Sequence, residues 1–377
     1  MTISRKESPI FKDLNSTLID LPTPSSLLNW WNLGSLISML LVTQITTGVL
    51  LSMHYTADIS LAFDSLSYTS REVFNGWLIK NLHGNGASLF FICLYLHVGR
   101  GMYYGSYFNT STWSIGVLLL ILSMLTAFMG YILPWGQMSF WAATVITSLI
   151  STIPYIGQPL IEWIWGGFAV DNPTLTRLFT LHFMTPFLIS GTLTIHLAAL
   201  HQLGSNNPTG LSSITDNIPL HPYFTIKDLT MSVMMLSFLI TYTLITPNLI
   251  IEPENFIKAT STITPTHIKP EWYFLFVYTI LRTPATKVAG VLLAFFAIAG
   301  LLLVPVFHTS EQRSLMYRPI SQFMFWTLIA TICMLTWTGA RPLVYPANMI
   351  GTIATITYFT MLFVAMPTIS KIEDMIK

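Results

Sequence analysis

NLHGNGASLFFICLYLHVGR, residues 81–100, and LHFMTPFLISGTLTIHLAAL, residues 181–200, decide the fold. Each is an apolar run with two histidines: His83 and His97 in the first, His182 and His196 in the second, both 14 residues apart. On an α-helix 14 residues rise roughly 21 Å and return to within about 40° of the starting direction. Each helix therefore carries two imidazoles on nearly one face, at two depths. Two such helices facing each other make two bis-histidine sites stacked across a membrane. A single histidine in an apolar helix is most often a packed core residue. In a bilayer an ionisable side chain is costly and usually functional, and the repeated interval argues for ligation. Neutral imidazoles without charged neighbours suit haem iron.

A second regularity has the same interval. Gly34 and Gly48 are 14 apart, and so are Gly116 and Gly130. Glycine in a membrane helix admits close approach of a neighbour. The matched spacing predicts flat macrocycle edges resting on these glycines at the two depths. A four-helix bundle follows, with two histidine helices and two glycine helices.

The rest of the chain fits a membrane. Hydrophobic residues make up 53% of the 377 and charged residues 9%, against about 25% charged in soluble domains. Apolar stretches long enough to span lie at 33–53, 77–104, 113–133, 178–201, 228–247, 288–308, 320–340 and 348–368. The expectation is an all-α integral membrane protein with eight transmembrane helices, the last three free of intramembrane charge. Residues 1–210 would form the di-haem four-helix domain. Residues 211–377 would add four transmembrane helices as a C-terminal helical module. The segment 139–168, broken by Pro154, Gly157 and Pro159, reads as two short surface helices.

Met1–Leu21 is polar and has no signal-peptide core. With the N-terminus inside, nine Lys/Arg, including Arg5, Lys6 and Lys377, fall on that side and eight on the other. Charge therefore gives no orientation, and no nucleic-acid partner is expected. Trp30 and Trp31 read as interface anchors. Cys93 and Cys333 lie inside spans as small packing residues, and no Cys-x-x-Cys-His attachment pattern occurs. Any haem is held by ligation and packing alone.

Other residues suggest further chemistry. Pro270-Glu271-Trp272-Tyr273 opens an apolar helical run. Proline and glutamate there are ordinary helix-start residues, yet Glu271 at the membrane edge also suits a proton acceptor. Phe128, Phe274 and Tyr278 would line an apolar slot beside it. At the opposite depth His201, Lys227, Asp228, Ser35 and Asn32 suggest a polar pocket. Lys80 and Arg100, each three residues from a paired histidine, suit haem propionates, although either would also snorkel to headgroups.

The paired histidines, the glycine pairs, PEWY at 270–273 and GYILPWGQMSFW at 130–141 together resemble the cytochrome b family of respiratory complex III. The resemblance covers essentially the whole chain. Its length, eight spans and polar start resemble the mitochondrial form. It implies two non-covalent b haems, a low-potential one on His83 and His182 near the intermembrane side and a high-potential one on His97 and His196 near the matrix. It implies ubiquinol oxidation at Glu271, Tyr131, Phe128, Phe274, Tyr278 and Ala142. It implies ubiquinone reduction at His201, Lys227, Asp228, Ser35 and Asn32. The implied activity is ubiquinol–cytochrome c reduction by a proton-translocating Q cycle. Implied partners are the Rieske iron–sulfur protein, cytochrome c1 and other complex III subunits, in a homodimer within the mitochondrial inner membrane. Two positions depart from the common animal pattern, Lys80 where arginine is usual and Ala142 where glycine is usual. A lysine lacks the bidentate fork, and the Ala142 methyl is expected to crowd rigid strobilurin-type inhibitors. A transporter would instead show charged midplane residues or inverted repeats. PEWY and the chain length argue against a di-haem dehydrogenase anchor.

Overall fold

The computed structural model describes residues 8, 11–12 and 15–376. Arg5, Lys6 and Lys377, and most of the stretch read for a signal peptide, lie outside the described residues. Helices dominate. In chain order they are α1 (Leu33–Ser52), α2 (Ala62–Glu72), α3 (Gly76–Tyr103), α4 (Thr110–Ile132), α5 (Gln137–Ser148) and α6 (Gly157–Trp165). Then follow α7 (Asn172–Leu203), α8 (Tyr223–Ile245), α9 (Leu275–Arg282), α10 (Lys287–Ala299), α11 (Pro319–Gly339) and α12 (Ala347–Thr360). The last continues through a π-turn into α13 (Met366–Ile376).

Among the described residues six helices are long and apolar enough to cross a membrane, not eight. The two remaining expected spans differ for separate reasons. Helix α3 has 28 residues, about 42 Å of rise, but Lys80, Asn81, His83, Asn85, His97 and Arg100 dilute its apolar character. Helix α10 ends early, and with its short continuation covers only Lys287–Leu303. That is nearer 25 Å than the ~30 Å of hydrocarbon.

Local sequence explains the helix ends. Asn109 caps α4, its side chain accepting from the Thr112 amide at 3.3 Å. Asp171 and Thr174 form a capping box on α7, and Gly204 closes that helix at φ +76. The two surface helices expected at 139–168 are α5 and α6. Helix α1 lies along α3, and α4 along α7; α8 packs on α1 and α3. The expected boundary at 210/211 falls in the loop between α7 and α8.

The final helices differ from expectation. The last runs to Ile376 and carries Lys371, Glu373 and Asp374 beyond residue 368. Arg318 is 1% exposed and pairs with Glu373 at 3.4 Å. Glu373 accepts from the Ile320 amide at 2.7 Å, so a carboxylate far along the chain caps α11. Cys93 is buried in the core, whereas Cys333 is exposed on the outer side of α11.

Candidate functional site

The two histidine helices do face each other. The His83 and His182 ring centroids are 6.3 Å apart, edge to face at 83°. Two metal–imidazole bonds of about 2 Å, with about 1 Å from nitrogen to ring centre on each side, span about 6 Å. The pair therefore fits one metal centre between the rings. Each site offers two nitrogens, and no cluster of three or more His, Cys, Asp or Glu occurs among the described residues. A bare zinc ion wants three or four protein ligands; a haem iron takes its remaining ligands from the macrocycle.

The ring tautomers follow from their partners. His182 Nδ1 is 2.8 Å from the Thr126 carbonyl, which only accepts. His83 Nδ1 is 2.9 Å from Thr47 Oγ1. The Thr47 hydroxyl donates to the Thr43 carbonyl at 2.8 Å, so both rings carry the proton on Nδ1 and keep the Nε2 lone pair for a metal. At the second depth His97 Nδ1 lies 3.2 Å from an Arg100 Nη2, and His196 faces the Thr112 backbone.

The four glycines meet the four histidines one to one. A methyl on Gly48 would lie 3.2 Å from His83 Cε1, and on Gly130 2.5 Å from His182 Cε1. On Gly116 it would lie 3.2 Å from His196 Cε1, and on Gly34 3.6 Å from His97 Cε1. The immediate neighbour of each glycine is thus an imidazole, where the interval alone suggested a macrocycle edge. Glycine lets the ring sit against the adjacent helix, within reach of its carbonyls and hydroxyls.

A cavity of about 510 Å³ joins the His83–His182 pair to the PEWY segment. Gly48, His83, Gly130, His182, Lys80, Tyr131 and Glu271 all lie on its wall. PEWY is held there by α3. Trp272 Nε1 donates to Ser88 Oγ at 3.1 Å, and Tyr95 donates to the Tyr273 carbonyl at 2.6 Å. Tyr273 stacks on Phe91 at 4.2 Å. Burial pushes the Glu271 carboxyl up to about 7; Glu252 adds to the rise, and Lys269 opposes it. Lys269 itself pairs with Glu252 at 2.9 Å.

Other expected residues of this site lie off the cavity wall. Phe128 packs with Met129, Ile132 and Trp135. Phe274 packs 4.7 Å from Tyr273. Tyr278 donates to the Ile268 carbonyl at 3.3 Å. Ala142 is 3% exposed, within the protein rather than on that wall. Glu252, Asn255 and Thr47 were not anticipated. Asn255 accepts from the Ser139 amide at 3.0 Å, and Ile257 and Trp135 exchange backbone bonds with Gln137 and Ala259 at 2.9 and 3.0 Å. These contacts dock residues 135–139 onto a loop over 100 residues away. A methyl on Gly136 would meet the Asn255 carbonyl at 2.4 Å, so close docking needs glycine there.

At the depth of the His97–His196 pair a two-stranded ribbon does the assembling. β1 (Pro22–Pro24) pairs antiparallel with β2 (Asn217–Pro219). This brings the start of α1 beside the start of α8. Asn32 donates to Asp228 at 2.5 Å, Ser35 to the Asn32 carbonyl at 2.8 Å, and Lys227 to the Leu27 carbonyl at 2.7 Å. His201, near the end of α7, makes no hydrogen bond to this group. Arg100 lies over the Trp31 ring at 5.2 Å, and its Nε is buried without a partner. That orphaned donor suits an added carboxylate. Lys80 lies 5.1 Å from the Phe256 ring centre.

Residues 18–204 match the family model for cytochrome b/b6/petB, and residues 258–359 match that for cytochrome b (C-terminal)/b6/petD. The fold is similar to a chain of a solved structure described as "Hyperthermophilic respiratory Complex III", with TM-score 0.90 and 29% identity over 98% of each chain. With matches to both halves and a shared fold over nearly its whole length, the chain belongs to the cytochrome b/b6 family.

Proposed function

We propose that this multi-pass membrane protein is the quinol-oxidising and quinone-reducing subunit of a ubiquinol–cytochrome c reductase. The observation that carries this reading is a single cavity shared by the His83–His182 pair, Tyr131 and Glu271. His83 and His182 would hold one b haem, and His97 and His196 a second, with Gly34, Gly48, Gly116 and Gly130 giving the rings room. The bound haems supply one-electron carriage across the bilayer, against roughly 2.3 kcal/mol per charge per 100 mV.

The chain's own groups bind quinone and move protons. Glu271 accepts a proton from quinol at the outer cavity, with Tyr131 on the same wall. Phe128, Phe274, Tyr278 and Ala142 would support the quinol slot from behind that wall. Asn32, Ser35, Lys227, Asp228 and His201 bind quinone and deliver protons at the inner face. Arg100 and Lys80 neutralise haem propionates. The Rieske protein takes the first electron from quinol, and cytochrome c1 completes the complex, a homodimer in the mitochondrial inner membrane. Residues 1–210 serve as the di-haem domain and 211–377 as the module that delivers PEWY.

A dithionite-minus-ascorbate spectrum with a redox titration tests the reading. Two b-type components with separate midpoints are expected; well-folded protein without haem absorbance refutes it.

Glu271 gives a pH dependence. Its carboxyl value in the folded protein lies above the ordinary one, at about 7. Below that pH it holds its proton and cannot accept another. Quinol oxidation should therefore rise with pH through about 7, while the residue's contribution to stability falls as pH rises above its unfolded value. Glu271→Gln should flatten that limb and slow oxidation by on the order of 100-fold. A pH–rate profile unchanged by the substitution removes Glu271 as acceptor. The inhibitor expectation is checked separately. Ala142→Gly should lower the strobilurin concentration needed for half-inhibition, and superimposable curves exclude the methyl as the cause of insensitivity.

A further inference from the structure

The hydrogen bonds behind the histidines differ between the two depths. Thr47 is 7% exposed and sits beside Gly48 on α1. Its Oγ1 donates to the Thr43 carbonyl at 2.8 Å, with the Gln44 carbonyl also near at 3.2 Å. A hydroxyl has one proton, and helix carbonyls claim it. Its lone pairs face His83 Nδ1 at 2.9 Å. The ring must therefore donate, giving a chain from His83 Nδ1–H to Thr47 to the Thr43 carbonyl. Such chains polarise cooperatively. Across the site, His182 donates to the Thr126 carbonyl at 2.8 Å.

The inner pair is placed differently. A guanidinium has no acceptor, so Arg100, 3.2 Å from His97 Nδ1, cannot take a proton from that ring. His196 faces the Thr112 backbone as His182 faces that of Thr126, so the two depths differ at His83 and His97. Donation from Nδ1 raises the basicity of the ligating nitrogen, which favours the more highly charged, oxidised metal. A positive charge beside the ring instead favours the less charged, reduced metal electrostatically.

We infer that Thr47 is a positioning residue: it holds His83 as an Nδ1–H donor and keeps the outer haem the harder of the two to reduce. The inference rests on the two-haem reading above. The electron concerned comes from quinol and moves on to the inner site, and the Nδ1 proton stays on His83 throughout. Thr126 plays a similar part for His182 through its backbone carbonyl, which no side-chain substitution removes. Thr47 is thus the mutable half of the device.

Redox titration of the assembled complex in its membrane, with Thr47→Val, Thr47→Ala and Thr47→Ser, tests this. Valine keeps the volume without the acceptor, and alanine removes both without adding bulk. Each should raise the reduction equilibrium constant of the outer component about tenfold, about 59 mV for one electron, and leave the inner component in place. Its low-spin EPR signal should move as well. Serine should restore the wild-type midpoint. Unchanged outer midpoints in both valine and alanine variants overturn the inference, as does an equal shift at both components. Wild-type complex lacking two b-type components instead refutes the underlying two-haem reading.

Discussion

His182→Leu should remove the outer haem component completely and abolish quinol–cytochrome c activity, while the inner component persists. The outer site is two imidazoles 6.3 Å apart, and no third ligand stands by among the described residues. Leucine fills comparable volume but brings no lone pair. The Thr126 carbonyl, 2.8 Å from the ring in the wild type, loses that partner. The inner pair lies 14 residues away on each helix, roughly 21 Å of rise, and its ligands are untouched. Haem content per protein should fall to about half by extraction, in keeping with one axial pair per haem. Retention of both components in His182→Leu would mean that His182 is not a ligand.

The glycines should differ in their tolerance of a methyl, in an order set by distance. Gly130→Ala is the severe case. Its methyl would lie 2.5 Å from His182 Cε1, 3.0 Å from Nδ1 and 3.1 Å from Nε2. Ordinary carbon contacts begin nearer 3.5 Å, so the ring must move by about 1 Å, and the Thr126 hydrogen bond opposes that movement. We expect loss of most of the outer haem. Gly48→Ala and Gly116→Ala, each 3.2 Å from a ring carbon, should keep their haems with shifted spectra. Gly34→Ala, at 3.6 Å, should bind both haems normally. It should also be neutral or more stable by up to about 1 kcal/mol, because alanine is the better helix former. Haem-to-protein ratios and thermal denaturation of the four variants check this. Equal loss in Gly34→Ala and Gly130→Ala would show that the macrocycle, not the imidazole, sets the space at these glycines.

The same distances separate two kinds of information. The 14-residue intervals single out the four histidines, because helical periodicity is a local property and repeats along the chain. The apolar stretches locate most of the helices for the same reason. Their count was less legible. Helix α3 carries the polar residues its role needs, and α10 is shorter than its composition implies. Glu271 was legible as a carboxylate at a helix start. Its company was not: the cavity it shares with His83 depends on Trp272 reaching Ser88 and Tyr273 stacking on Phe91.

The sequence by itself determined a membrane protein with two histidine pairs at two depths, since spacing of 3.6 residues per turn and transfer of apolar residues out of water need no knowledge of neighbours. Tertiary structure alone decided which glycine faces which histidine and that Glu252 stands near Glu271. It also decided that β1 and β2 join Asn32 to Asp228, and that Thr47 rather than a charged group backs His83. Each of these joins residues tens to hundreds of positions apart. Such contacts depend on helix rotation and on how closely two backbones approach, and no local pattern in the chain encodes either.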